Sequence, residues 1–184
     1  MSAPCESLYP VVLPVPDRKQ ELCRKALRRY LSWLARRAVA RSAERAALDG
    51  IGLPAAAIYW SLTHKPAYVA GIAASCPTGI DVEKIRPVSG RLMERAFDAS
   101  ERSLFDEGGA FLFFRIWTAK EAILKQTGAG LAGLCRCRII GVSDARSLVA
   151  SYQNWYFEVE QLFFDQHVAA VVKKRGQAVR WCFD

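Results

Sequence analysis

The stretch from 109 to 127 reads GAFLFFRIWTAKEAILKQT, and nothing else in the chain constrains the fold as tightly. Phe111, Leu112, Phe113, Phe114, Ile116, Trp117, Ile123 and Leu124 make a helix here apolar on nearly every side, and Gly128 follows as a C-terminal stop. A helix apolar all round is a buried helix. Its charged residues, Lys120, Glu121 and Lys125, then need partners, because an unpaired charge in an apolar interior is costly. Trp117, Glu121 and Lys125 share one face at successive four-residue steps. On an exposed helix Glu121 and Lys125 are an ordinary ion pair worth about 0.3–0.5 kcal/mol. On a buried one they are site candidates.

The 184 residues, 52% hydrophobic and 24% charged, suffice for one substantial core or for two small similar lobes sharing an interface. The opening through Pro16 carries four prolines and reads as extended. Asp17 with Gln20 reads as a capping box, opening a helix in which Leu22, Ala26, Leu27, Tyr30, Leu31, Leu34 and Ala38 recur at helical spacing. That helix is expected to end before Gly50, with a break near Val39. Short β-type runs at 57–62, 68–74 and 79–82 read as adjacent strands, followed by short helices at 89–97 and 100–106. After the apolar helix come β-type runs at 137–142, 155–164 and 167–173. Segment 165–171 echoes 64–72, each a polar turn entering an apolar strand of small residues, as two similar lobes divided near 86 produce. The class is α+β, a single unit over 1–184 with lobes 1–86 and 87–184.

The formal net charge is +8 and the pI about 9.4, which favours an anionic partner without naming one: phosphorylated cofactor, acidic protein and nucleic acid all stay open. The excess sits early, in Arg24, Lys25, Arg28, Arg29, Arg36, Arg37, Arg41 and Arg45 among others, on a helix face that meets an anion or simply meets water. Six cysteines include no Cys-x-x-Cys pair and have no histidine at metal-ligand spacing, which speaks against zinc. No charged start followed by an apolar signal core is present, and no apolar run reaches the roughly 18 residues of a membrane span. These readings point to a cytoplasmic protein with reduced thiols. His167, Trp155 and Trp181 read as structural, the two tryptophans as core.

Thr78-Gly79-Ile80-Asp81-Val82-Glu83 sets two carboxylates two residues apart, which on a strand face the same way. Alone, Asp-x-Glu is commonly a strand end with two solvated acids. Joined to Glu121 and the lysines, the three carboxylates form a phosphate site: they hold Mg²⁺, the metal takes phosphate oxygens, and ammonium groups neutralise the rest.

Gly-Ile-Asp-Val-Glu-Lys at 79–84, followed by Trp-Thr-Ala-Lys-Glu-Ala-Ile-Leu-Lys at 117–125, resembles the paired signature of the 4′-phosphopantetheinyl transferase superfamily. Leu62-Thr63-His64 upstream and Gly-Ala-Gly-Leu at 128–131 resemble its surfactin-type branch of pseudo-dimeric monomers. The likeness is close over 59–131 and looser beyond. It implies two α+β lobes about a pseudo-twofold axis, the N-terminal one shortened, with coenzyme A in the cleft between them. It also implies transfer of phosphopantetheine to a serine of an acidic acyl or peptidyl carrier protein, with release of 3′,5′-ADP, by a monomer that needs neither nucleic acid nor membrane. By the same resemblance Asp81, Glu83 and Glu121 ligate Mg²⁺, Glu121 is the favoured base, Lys120 and Lys125 contact phosphates, and Thr63 and His64 bind phosphate near the cleft. Thr63 stands where the branch usually has Ser. Lys65 stands where it has a small residue, and either reaches phosphate or lies in solvent. The branch's basic motif for the nucleotide end has no match before Ile58, where Arg36, Arg37, Arg41 and Arg45 are the available replacements. Two other readings are a coenzyme A-binding member without transfer activity and a basic nucleic-acid-binding module.

Overall fold

The computed structural model describes residues 7–16, 23–53 and 58–184, and the Asp17/Gln20 capping box lies outside them. Two helices and two sheets carry the architecture. Helix α1, Arg24–Leu48, is continuous through Val39, so the expected break is absent: Ala35 and Ala38 pack fully buried on the sheet below and hold the helix straight across that point. Strand β1, Val11–Pro14, precedes it; the run is only four residues long and bounded by proline, too little for periodicity to register. Strands β2, Tyr59–His64, and β3, Tyr68–Ala74, form an antiparallel hairpin, and β1 pairs with the other edge of β3.

Strand β4, Ile80–Lys84, departs from the expectation of three adjacent strands. It pairs with β8, His167–Lys173, in a second sheet ordered β4-β8-β7-β6-β5, antiparallel throughout. The remaining strands of that sheet are β5 Arg138–Val142, β6 Ser147–Tyr152 and β7 Trp155–Phe164. The first sheet takes in a residue pair from the chain's far end, β9 Cys182–Phe183, parallel to β1, giving β2-β3-β1-β9. Strand β6 escaped the sequence reading because its six residues include Ser147, Ala150 and Ser151, which carry little β preference and dilute the signal of Leu148, Val149 and Tyr152. Its turn into β7 runs through Gln153 and Asn154, and the β7–β8 turn through Asp165 and Gln166, all with positive φ, as tight hairpins require.

Helix α2, Gly90–Ala96, and the short α3, Ala99–Arg102, lead to α4, Gly109–Thr127, which Gly128 ends in the left-handed conformation at φ 69°. A 3₁₀ segment, Leu131–Arg136, follows. The layers stack in order. Leu31, Leu34, Ala35 and Ala38 of α1 bury one face of the first sheet against Val11, Leu13 and Val69. The sheets meet through Val12, Ala70 and Ile72 against Ile80, Val82, Ala169 and Val171. Helix α4 covers the far face of the second sheet, with Ile116, Ala119 and Ile123 on Ala150, Val159, Ala170 and Val172. The apolar side chains all round α4 thus have a sheet on one side and α2, α3 and the 3₁₀ segment on the other. Trp155, expected in the core, is 72% exposed at the start of β7, because it stands beyond the last residue that α4 covers.

Candidate functional site

Gly79 decides how close β4 comes to α4. A Cβ built on it meets the Ala122 carbonyl oxygen at 1.9 Å, so strand and helix backbones touch where any other residue keeps them apart. The Gly79 carbonyl accepts from Val172 N–H at 2.9 Å and the Thr78 hydroxyl donates to Val172 O at 3.0 Å, which locks the strand's entry. From that point the pleat sends Ile80 and Val82 into the core shared with β1 and β3, and Asp81 and Glu83 to the opposite face of β4, where residues of α4 and of the end of β2 meet them.

Asp81 is almost fully buried. Its Oδ1 accepts from the Lys125 ammonium at 2.8 Å and the Thr63 hydroxyl at 2.9 Å, while Oδ2 is buried with no partner. Lys125 Nζ also donates to the Ile80 carbonyl at 3.0 Å, so the face that carries it is tied to β4, not to Glu121. Glu83, also buried, accepts from Lys65 Nζ at 2.6 Å. Strand β2 supplies the rest by alternation: the Ser61 hydroxyl accepts from Ile80 N–H at 3.1 Å, Thr63 reaches Asp81, and Lys65, two residues on, reaches Glu83. The alternation from Thr63 to Lys65 was the signal that could have identified Lys65.

Glu121 stands half-buried within electrostatic reach of all four charges. Burial first, then the Asp81 and Glu83 charges, push its carboxyl above the usual range against the pull of Lys125 and Lys65. Burial works against the Lys65 ammonium, but Asp81, Glu83 and Glu121 outweigh it and hold the proton more tightly than usual. The three carboxylates and two of the lysines are therefore brought together from three segments.

Two predicted residues stand apart. His64 is exposed at the end of β2, on the opposite face from Thr63. Lys120, expected to contact phosphate, is 1% exposed; its ammonium donates to the Ala96 carbonyl at 2.7 Å and pairs with both Glu101 oxygens, at 2.7 and 3.0 Å. One residue from Glu121 along α4, it points about 100° away around the helix, toward α2 and α3. Arg41 and Arg45, candidates for the nucleotide end, pair with Asp184 at 2.8 and 2.9 Å, and Arg37 lies over the Trp33 ring. A cavity of about 1040 Å³ opens beyond the C-terminal end of α4, bordered by Gln126, Thr127, Trp155 and Lys173; none of the three carboxylates lines it.

Among the described residues no three His, Cys, Asp or Glu side chains form a ready-made metal cage. The donor set nonetheless suits Mg²⁺, which takes few protein carboxylates and completes its shell with water and phosphate oxygens. Asp81 Oδ2 is an oxygen that nothing satisfies, and Glu121 is raised by burial and then by its carboxylate neighbours, an imbalance that a divalent cation relieves.

Over 78 residues the chain is 36% identical to 4′-phosphopantetheinyl transferase psf-1 of Bacillus pumilus, covering 40% of this chain and 34% of that protein. It is 33% identical to 4′-phosphopantetheinyl transferase Sfp of Bacillus subtilis over 79 residues, 40% of this chain and 35% of the relative. With 4′-phosphopantetheinyl transferase HetI of Nostoc it shares 50% identity over 62 residues, 30% and 26% of the two chains. These matches span about a third or less of the relatives' own length. The sequence model of the 4′-phosphopantetheinyl transferase superfamily matches residues 77–172, from the entry of β4 through α4 to the end of β8 and more than half of the 184 residues, so the chain belongs to that superfamily.

Proposed function

We propose that the protein transfers the 4′-phosphopantetheine arm of coenzyme A to a serine of an acidic acyl or peptidyl carrier protein, acting as a cytoplasmic monomer. The observation that carries the reading is the meeting of Asp81 and Glu83 on β4 with Glu121 and Lys125 on α4, two segments held against one another by the Gly79 contact. Two similar lobes about a pseudo-twofold axis, with coenzyme A between them, belong to the same reading; the packing of α1 on β3 and of α4 on β8 supports it.

Asp81, Glu83 and Glu121 hold Mg²⁺, which when bound neutralises charge on the coenzyme A pyrophosphate. Lys125 keeps its ammonium beside the carboxylates, where it orients Asp81 and faces the phosphates. Thr63 fixes Asp81 from the first sheet. Lys65 adds a second cation at the rim, where Glu83 holds it. The carrier serine oxygen attacks the β-phosphorus, its proton passes to the Glu121 carboxylate directly or through water, and the bond to 3′,5′-ADP breaks with the electron pair leaving on that product. Rate comes from positioning and charge neutralisation, without a covalent enzyme intermediate.

The test is to incubate the protein with an apo carrier, coenzyme A and Mg²⁺ and read the carrier mass, which rises by one phosphopantetheine. Binding is checked separately by melting. A ligand using a site that only the fold assembles stabilises the native state by about 2.7 kcal/mol at a hundredfold excess over Kd, or roughly 2–4 °C per kcal/mol for a chain of this size. The shift is expected to need coenzyme A and Mg²⁺ together. A full shift without mass gain would leave a binding protein that does not transfer.

A further inference from the structure

Lys120 lies beside Glu121 in sequence, yet its three ammonium protons are spent in the interior. It donates to the Ala96 carbonyl that ends α2 and to both oxygens of Glu101. Glu101 is as buried as its partner, and its oxygens also accept from Ile139 N–H at 2.8 Å, at the start of β5, and from Asp98 N–H at 3.3 Å, in the capping box that opens α3. One ion pair therefore ties α4 to α2, α3 and β5 at once. On the opposite flank of the helix, Lys125 ties it to β4. The helix is thus held on two flanks, and Glu121 lies between the anchors.

Building on the transferase reading above, we infer that Lys120 is a positioning residue: its buried pair with Glu101 fixes the rotation of α4 that presents Glu121 to Asp81 and Glu83, and it makes no contact with phosphate. An ammonium that is enclosed and has every proton committed cannot turn outward without leaving the Glu101 charge buried and alone, which is strongly unfavourable. A rotation of α4 by a few degrees moves the Glu121 carboxyl by a fraction of an ångström, and displacements approaching 1 Å at a reacting group cost up to about a hundredfold in rate.

The experiment is a double-mutant cycle on the full chain, with transfer measured against coenzyme A concentration and melting followed for each variant. Lys120→Met leaves Glu101 charged and unpaired; Glu101→Gln keeps an acceptor for Ile139 N–H but removes the charge; the pair of substitutions together leaves no buried charge. Each single variant is expected to lose about tenfold or more in kcat with KM for coenzyme A within about twofold, and the double variant to regain most of the loss. Should Lys120→Met not fold, the double variant alone decides, since it is expected to be active. A raised KM with kcat kept in Lys120→Met, normal behaviour in Glu101→Gln and no recovery in the double would make Lys120 a phosphate contact and overturn the inference. Absence of transfer by the unsubstituted chain is a different failure: it removes the transferase reading, and the positioning role with it, before any variant is compared.

Discussion

The two long helices, α1 and α4, do the same structural task, each covering one outer face of a sheet, but they differ in how they treat charge. Helix α1 buries a single stripe and exposes Arg24, Lys25, Arg28, Arg29, Arg36 and Arg37 to solvent. Helix α4 buries eleven of its nineteen residues, including Arg115 and Lys120. Every cation on α4 is consequently committed. Arg115 donates to Gln161 and to the Ala145 carbonyl and pairs with Glu107; Lys120 meets Glu101; Lys125 meets Asp81. Charge on a helix identifies a site only when burial forces it to find partners, so the abundant arginines of α1 say less about function than the few charges of α4.

The sharpest way to break this comparison is to remove charge from α4. Glu121→Gln is expected to lower transfer by about a hundredfold or more, in the range seen when a metal ligand or general base is lost. Its melting temperature without metal is expected to stay at or above that of the unsubstituted chain, because burial and the neighbouring Asp81 charge disfavour the ionised carboxylate. Asp81→Asn is expected to lose transfer to a similar extent. Activity within twofold in either variant at limiting Mg²⁺ removes the metal assignment.

Gly79→Ala probes the contact that holds α4 and β4 together. The new methyl meets a backbone oxygen that cannot swing aside, and overpacking of this kind costs about 1–3 kcal/mol. Calorimetry is expected to show melting several degrees lower, with transfer lost beyond what stability explains as Asp81 and Glu83 draw away from Glu121.

On α1 the expected effects are small. Arg41→Ala and Arg45→Ala break partly exposed pairs with Asp184, contacts worth about 0–1 kcal/mol, and transfer is expected to stay within about twofold. A tenfold rise in KM for coenzyme A in either variant would bring α1 into the site and dissolve the contrast between the helices.

The smallest effect is a pH signature at the start of α3. Hydrogen bonds from the Glu101 backbone N–H and from the Ser100 hydroxyl and N–H, with Arg138 beside it, lower the Asp98 carboxyl from 3.8 to about 2, despite its exposure. A depressed acid contributes stability above its unfolded value and loses it as pH falls through the folded one. The melting difference between the unsubstituted chain and Asp98→Asn is therefore expected to be constant above about pH 5 and to vanish between pH 3.8 and about 2. A difference unchanged down to pH 2 would show that the cap does not depend on the charge.

Much of the site was legible in the residues because its grammar is local. Asp81 and Glu83 share a face because strands alternate, Glu121 and Lys125 share a face because helices repeat near four residues, and the all-round apolar character of 109–127 forces burial. Resemblance supplied the step that joined the two segments, and the structure supplies its cause in the missing side chain of Gly79. Other decisions belong to the tertiary structure. Pairing of β4 with β8, 84 to 167 at one end and 80 to 171 at the other, joins segments far apart in the chain, and no local pattern encodes such a partner. The same holds for β9 beside β1 and for Lys65 on Glu83. Lys120 shows the limit most plainly. Its neighbours in sequence make it a companion of Glu121, but one step along a helix is about 100° of rotation, and only the packing of α2, α3 and β5 on that side determined that its partner within the fold is Glu101.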